Sequence, residues 1–307
     1  MVRKLQVLIV QTLYVVAALL IGLSPPVARA DRIAPVFDGH SGERSDWSNV
    51  YAAMDRADIV IVGEQHTDAA GHALQVRIIT DVLERWDNVV LALEEFDRSQ
   101  QGALDDYQNS EITGVELKGV RDFVDPQVRR NWLDWYLPKL EAARQGGATL
   151  MATNAPLKYS RMVRNAGCDN LPELPQDERG LFDCPVAPPD PEYRDRFGQT
   201  MKSVAAGSRS SGLKPLKDEQ IDKMFRAHRV WDATMARSIV EARSDGGRKV
   251  MHLVGSFHSD YSGGLVQELR SRDPEASILV LCLTPKRGFT LSRDDIDRAD
   301  FVVYTKN

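Results

Sequence analysis

Cysteine is scarce in this chain: three in 307 residues, with no Cys-x-x-Cys pair. That excludes the common thiol-rich zinc and dithiol redox sites. There is no basic stripe either. Acidic and basic residues are interspersed and the net charge is −5, so no nucleic-acid partner is expected. No internal repeat is visible, and the only long biased segment is the N-terminus.

That segment opens with Arg3 and Lys4, runs apolar from Val7 to Leu23, and continues through Ser24-Pro25-Pro26 to Ala28-Arg29-Ala30. The pattern reads as a signal peptide over residues 1–30, cut after Ala30. The apolar run approaches membrane-spanning length, so an anchor is the competing reading. Pro25 and Pro26 break the helix just before the small-x-small pattern and favour cleavage. The expected location is therefore the periplasm or cell envelope. No cysteine lies near the cut, which excludes a lipid anchor there and leaves membrane association open. Removing 30 of 307 residues leaves 277, enough for one α/β domain over 31–307 with an inserted cap. Cys168 and Cys184 share a polar, proline-rich loop and could pair in an oxidising compartment. Cys282 falls in an apolar run and reads as a buried free thiol.

Five short apolar runs read as strands buried on both faces: Asp58–Val62, Val89–Leu93, Ala148–Ala152, Lys249–Val254 and Ile278–Leu283, with Phe301–Tyr304 a candidate sixth. Helical spacing lies between them, over Gly71–Trp86, Val128–Gln145 and Asp218–Arg243. Gly146-Gly147 and Gly246-Gly247 stop two of these helices before the next strand. The alternation predicts an α/β fold with a mostly parallel sheet and helices on both faces. Residues 155–216, with a helix at Tyr193–Ala206, break the alternation and read as a small helical cap insertion.

Ligands of open α/β sheets bind beyond the carboxyl ends of the strands. Here those ends carry Gly63-Glu64-Gln65-His66, Glu94-Glu95-Phe96, Thr153-Asn154-Ala155-Pro156 and Gly255-Ser256-Phe257-His258. Four chemically equipped ends should converge on one rim. Glu64, His66, Glu94, Glu95, Asn154 and His258 are the candidate catalytic set, as a general acid–base system. Glu64, His66 and His258 could equally hold a divalent ion with an open position. The bland readings are a polar strand-to-helix turn for Glu64 and His66, and a helix N-cap for Asn154. Of Glu94 and Glu95, one should face the site, because strand neighbours point oppositely. His72 sits on the first turn of a helix. His228 and Asp232, four apart on an apolar stripe, read as a buried compensating pair. His252 reads as a packed core histidine, and His40 as incidental in a mobile N-terminal stretch.

The ordered set resembles the ChaN-like haem-uptake proteins of the Tiki/erythromycin-esterase superfamily. The resemblance is carried by Ile61–His66 with His72 and Gln75, Ala92–Phe96 with Gln100, Trp135–Pro138, Asn154–Pro156, Trp231–Ala236 and Gly255–Tyr261, and spans about residues 45–285. It implies a haem-binding protein of iron uptake, with tyrosine ligation and two haems stacked in a homodimer. Tyr193, Tyr159 and Tyr261 are the candidate haem ligands on that implication. The absence of Cys-x-x-Cys-His excludes covalent haem attachment. Two readings stand. A haem carrier should depend on a tyrosine and tolerate loss of Glu64 or His66. A hydrolase of protease or esterase type, metal-dependent or Glu/His-based, should fail without them.

Overall fold

The computed structural model describes residues 34–120, 126–207 and 216–306. The expected leader lies outside the described residues, and the compact unit that carries the fold starts at Pro35. The strands are β1 (Val36–Asp38), β2 (Arg44–Ser45), β3 (Ile59–Glu64), β4 (Val89–Asp97), β5 (Thr149–Asn154), β6 (Lys249–Gly255), β7 (Ile278–Thr284) and β8 (Phe301–Tyr304). The helices are α1 (Trp47–Arg56), α2 (Ala69–Leu83), α3 (Gln101–Gln108), α4 (Gly114–Val120), α5 (Pro126–Asn131), α6 (Leu137–Gln145), α7 (Leu157–Ala166), α8 (Pro191–Gly207), α9 (Asp218–Ser244) and α10 (Gly264–Arg272).

One sheet has the order β2-β1-β8-β7-β3-β6-β4-β5. From β8 to β5 every neighbouring pair is parallel, while β1 pairs antiparallel with both β2 and β8. All six anticipated strands are present. The β1–β2 hairpin was not anticipated, because two- and three-residue strands carry no readable period. It gives His40 a place: the imidazole sits in the hairpin turn, 2.9 Å from Asp297, which corrects its reading as part of a mobile stretch.

The continuous apolar strands are explained by cover on both faces. Every residue of β3 is buried. Ile59 and Ile61 pack into the layer formed by Met235, Ala236 and Ile239 of α9 with Leu265 and Leu269 of α10. Val60 and Val62 alternate to the opposite face. The expected helix at 128–145 is interrupted: a π turn, Trp132–Tyr136, separates α5 from α6. The chain steps from β3 outward to β4 and β5, then returns to lay β6 between β3 and β4 before crossing to β7. That reversal opens a crevice at the carboxyl ends of β3 and β6, where such sheets bind ligands. Residues 155–207 supply α7 and α8, which pack on α9 through Tyr159, Val163 and Val230 and through Tyr193, Phe197 and Phe225. A disulfide joins Cys168 to Cys184, and Cys282 is a buried free thiol.

Candidate functional site

Glu64 ends β3 and lies in register with Gly255, the last residue of β6. Between Leu93 and Asp97 the β4–β5 register slips, an irregularity that re-aims side chains at a strand end. A single 3₁₀ turn, Ser256–His258, follows β6. These ends border a cavity of about 740 Å³ whose wall includes Glu64, His66, Glu94, His228, Gly255 and His258. The volume lies within the usual range for small-molecule sites.

One half of the rim is built on Glu64. Its carboxylate is buried, and Oε1 accepts from His66 Nδ1 at 3.0 Å and from the Tyr136 hydroxyl at 3.3 Å. Oε2 accepts from Lys139 Nζ at 3.2 Å. Lys139 is itself buried, with its remaining donors toward Gln75 Oε1 at 3.0 Å and His72 Nδ1 at 3.3 Å. It also lies 4.2 Å above the Tyr136 ring. The carbonyl of His66 must accept, so His72 donates from Nε2 at 3.2 Å. Its Nδ1 is then the acceptor that Lys139 needs. Burial alone would raise the Glu64 carboxyl, but the Lys139 ammonium and the bond from His66 hold it well below the usual carboxylate range. His66 feels the converse. Burial opposes its charge, yet the bond to Glu64 and the field of Glu94 push it up to about 9.

The other half is a chain of buried groups. Glu94 accepts from the Gly255 N–H and its Oε1 lies 3.5 Å from His258 Nε2. His258 Nδ1 is 2.6 Å from Asp232 Oδ1. The Tyr193 hydroxyl donates to Asp232 Oδ2 at 3.1 Å and lies 2.7 Å from His228 Nε2. Tyr193 has one proton, so His228 must donate Nε2–H to its oxygen. That assignment suits a neutral His228: burial and the neighbouring His258 charge press it down to about 3. His258 is the opposite case. Burial is outweighed by Asp232 and Glu94, which push it up to about 10, with both ring nitrogens donating. Burial works against the charged form of Glu94 too, but His258 holds its carboxyl far below the usual range. Gly264 opens α10 directly on this chain. A Cβ there would stand 2.2 Å from Asp232 Oδ2, so no other residue fits.

The proposed metal set, Glu64 with His66 and His258, is not assembled: His66 is tied to Glu64, and His258 to Asp232 and Glu94. Among the described residues the donors that do come within 4.8 Å of one another are His228, Asp232 and His258. Their geometry does not suit a metal. The two imidazoles stack at 4.2 Å and 18°, so their lone pairs lie in two nearly parallel ring planes, whereas one ion bonded at about 2 Å to both nitrogens must lie close to both planes at once. The set fits shared protons.

Asn154 does not face the cavity. Its amide donates to the Glu94 carbonyl at 3.1 Å and its Oδ1 accepts from Ala155 N–H at 2.8 Å, so it clamps the irregular end of β4. Glu94 faces the cavity and Glu95 turns to Lys139 at 3.5 Å, as strand alternation requires. None of the three tyrosines lines the cavity. Tyr193 is locked as above, the Tyr159 hydroxyl donates to Glu178 at 2.8 Å, and the Tyr261 hydroxyl donates to the Asp294 carbonyl. Each of the three candidate haem ligands thus has its phenol hydrogen-bonded within the protein in this structure. His252 is buried on β6 with Nδ1 against the Ala92 carbonyl at 3.1 Å. Sequence reasoning missed Lys139. The available signal was a cation three residues past Tyr136, on the face that Leu140 and Ala143 bury.

A mostly parallel sheet with a histidine–carboxylate rim at its switch point defines the class of this protein. Residues 50–269 match the family described as haem-binding uptake, Tiki superfamily, ChaN, and the chain belongs to that family. It is similar to the RETICULATA-RELATED 5 protein, chloroplastic, of Arabidopsis thaliana, at 29% identity over 278 residues and 85% of this chain. It spans 36% of that relative's length. Its fold resembles a solved structure described as cofacial heme binding to ChaN of Campylobacter jejuni. The TM-score is 0.68 at 17% identity, covering 89% of this chain and 97% of the other. A type III effector, HopBA1, matches at a TM-score of 0.49 and 14% identity over 91% and 99% of the two chains.

Proposed function

We propose that this chain is an exported protein that binds haem in the rim cavity and serves haem or iron uptake at a bacterial envelope. Membership of a haem-binding family and the cofacial haem of the Campylobacter relative support this reading. The observation that carries it is the cavity wall. Leu157, Phe197, Met201, Phe257 and Trp231 give it apolar faces, and the exposed guanidinium groups of Arg161 and Arg164 stand at its border. A flat amphiphile with an apolar macrocycle and two carboxylates matches that distribution. In this reading residues 155–216 form a cap whose helices supply the apolar wall, residues 1–30 direct export, and two copies pair as a homodimer.

Titrating the purified chain with hemin tests it. A saturable visible spectrum at low micromolar affinity or tighter is expected, weakened by Arg161→Glu with Arg164→Glu. A linear, non-saturating response would sink it.

A second reading, a Glu/His hydrolase of esterase or protease type, is favoured by one observation: His258 lies between Glu94 and Asp232 as an oriented, charged imidazole would in acid–base catalysis. Turnover of ester or peptide substrates that falls by orders of magnitude in Glu94→Gln would establish it. Turnover unchanged by that substitution would end it.

A further inference from the structure

We propose that the connection from β7 to β8 is a membrane-docking loop: Phe289 enters the interface of an anionic lipid bilayer, and Arg287, Arg293 and Lys306 rest on its headgroups.

Phe289 is 88% exposed, against 64% for Val115, the next most open large apolar side chain among the described residues. Looseness does not explain it, because the connection is tied down on both sides of the ring. Before it, the Lys286 N–H donates to the Thr284 carbonyl at 2.7 Å, its carbonyl accepts from the Lys306 N–H at 3.2 Å, and its Nζ pairs with Asp295 at 2.6 Å. After it, Leu291 turns inward onto the core, and the Ser292 N–H donates to the Tyr304 hydroxyl at 2.9 Å. Gly288 lies against Tyr304: a Cβ there would meet the Thr290 carbonyl and the Tyr304 ring at 3.3 Å. A fixed backbone thus sends one apolar side chain inward and holds the other in water, at a free-energy cost that an apolar cover would remove.

The charge around the ring says what the cover is. Arg287, Arg293 and Lys306 are exposed. The ion pairs of this region join Lys286 and Arg298 to Asp295 and Arg298 to Asp260, and the three exposed cations form none among the described residues. Asp294 is exposed too, while Asp297 is taken by His40. Three cations against one such acid leave a positive border around an aromatic anchor, which is the pattern of a segment that lies in an anionic membrane interface. A protein partner would need a wider apolar centre. No second large apolar side chain is exposed between Pro285 and Lys306 among the described residues. The loop also has the right place. β3, β6, β7 and β8 run parallel, so the loop and Lys306 emerge at the same end of the sheet as the rim cavity. Arg298, on the same connection, stands in the cavity wall. Docking therefore brings the cavity end of the sheet to the bilayer, where apolar ligands collect.

The test uses residues 31–307, which hold the whole compact unit, and phosphatidylcholine vesicles with or without phosphatidylglycerol, read by cosedimentation. The wild-type chain should bind the vesicles that contain phosphatidylglycerol and come off as salt is raised. Phe289→Ser should weaken binding about tenfold, the loss of one buried aromatic side chain. Arg287→Glu with Arg293→Glu should weaken it about tenfold or more. Thermal unfolding checks that each variant keeps its fold. Phe289→Trp should keep binding and add, relative to wild type, an emission that shifts to the blue and is quenched by lipids brominated in their acyl chains. The proposal is overturned by a wild-type chain that does not bind, by equal binding to pure phosphatidylcholine, by binding unchanged in Phe289→Ser, or by a Phe289→Trp emission that brominated lipid leaves alone. A wild-type dimer that Phe289→Ser splits, with no vesicle binding, overturns it as well and assigns the ring to a second copy of the chain.

Discussion

His66 and His258 each close a Gly-x-x-His turn after neighbouring central strands, β3 and β6. Yet 42% of the His66 side chain is exposed and it rests on one carboxylate, while His258 keeps 6% and lies between two. The difference comes from what packs beneath each turn. Under Glu64 the π turn and α6 deliver a buried cation, Lys139, so His66 need not neutralise that carboxylate and can face the cavity. Under His258 the long helix α9 delivers another anion, Asp232. His258 then lies directly between two carboxylates, and the ring is fixed as a charged, doubly donating group. The same local motif thus becomes a half-exposed imidazole on one side and a buried, doubly bonded cation on the other. The helix behind the sheet decides which.

The sharpest way to break this contrast is to remove Lys139. Lys139→Met leaves Glu64 and Glu95 buried without their ammonium, and uncompensated charge of that kind costs about 3–5 kcal/mol. Urea unfolding should show that loss, and Lys139→Met with Glu64→Gln should recover at least about 1 kcal/mol, because the two sites are directly coupled. A loss under about 1 kcal/mol in the single variant would mean that water already screens Glu64.

The strands and the four rim segments were legible in the sequence because both obey local rules. Doubly buried strands read as continuous apolar runs, and functional groups gather past their carboxyl ends. Glu64, His66, Glu94 and His258 meet there as anticipated. Lys139 was not legible, because a lysine in a helix reads as a solvated face until the partner of that face is known. The π turn that shifts the register before α6 leaves no trace in apolar spacing. Asp232 was visible only as half of a pair with His228. Its stronger partner, His258, is 26 residues away in sequence and is brought to it by the crossing from α9 to β6. The surroundings of the tyrosines were hidden for a related reason: residue type and neighbourhood suggest a ligand, but the direction of a hydroxyl is set by tertiary partners such as Glu178 and Asp294. Short elements were missed throughout. α10 is nine residues long and begins on a glycine, too little for a period to emerge.

A second test titrates the two halves. His258 binds its proton more tightly folded than unfolded, rising from 6.5 to about 10. Its contribution is therefore complete below about pH 6.5 and lost as pH climbs through 10. His66, raised to about 9, adds to that alkaline limb, less so because its side chain is partly open to solvent. His228 and His252 are depressed from 6.5 to about 3 and about 4. As pH falls below 6.5 the unfolded chain takes up protons that the folded chain refuses. The depressed Glu64 and Glu94 carboxyls lose their contribution in the same acid direction. Stability should thus peak near pH 6.5, each limb sloping by up to about 1.4 kcal/mol per pH unit for each proton linked. His258→Gln should flatten the alkaline limb and His228→Gln the acid one. A profile still rising from pH 7 to 9 would contradict the assignment of His258 as the buried cation.

The smallest expected effect isolates Tyr193. Its ring packs against Phe225 and Phe257 with centroids 5.4 and 5.5 Å away, and Tyr193→Phe keeps that packing while removing one hydroxyl. Asp232 Oδ2 then loses a donor and His228 Nε2–H loses its acceptor. Both groups are buried, and an unsatisfied buried polar group costs about 1–3 kcal/mol. Asp232 keeps His258 and the stacked imidazoles keep their contact, so the loss should fall at the lower end, about 1–2 kcal/mol by urea unfolding. The charge on His258 is set by Asp232 and Glu94, so the alkaline limb should stay where it is in Tyr193→Phe. If that limb moves instead, the hydroxyl is part of what fixes the His258 charge, and the two halves of the rim differ by a four-member proton chain and not simply by a lysine exchanged for an aspartate.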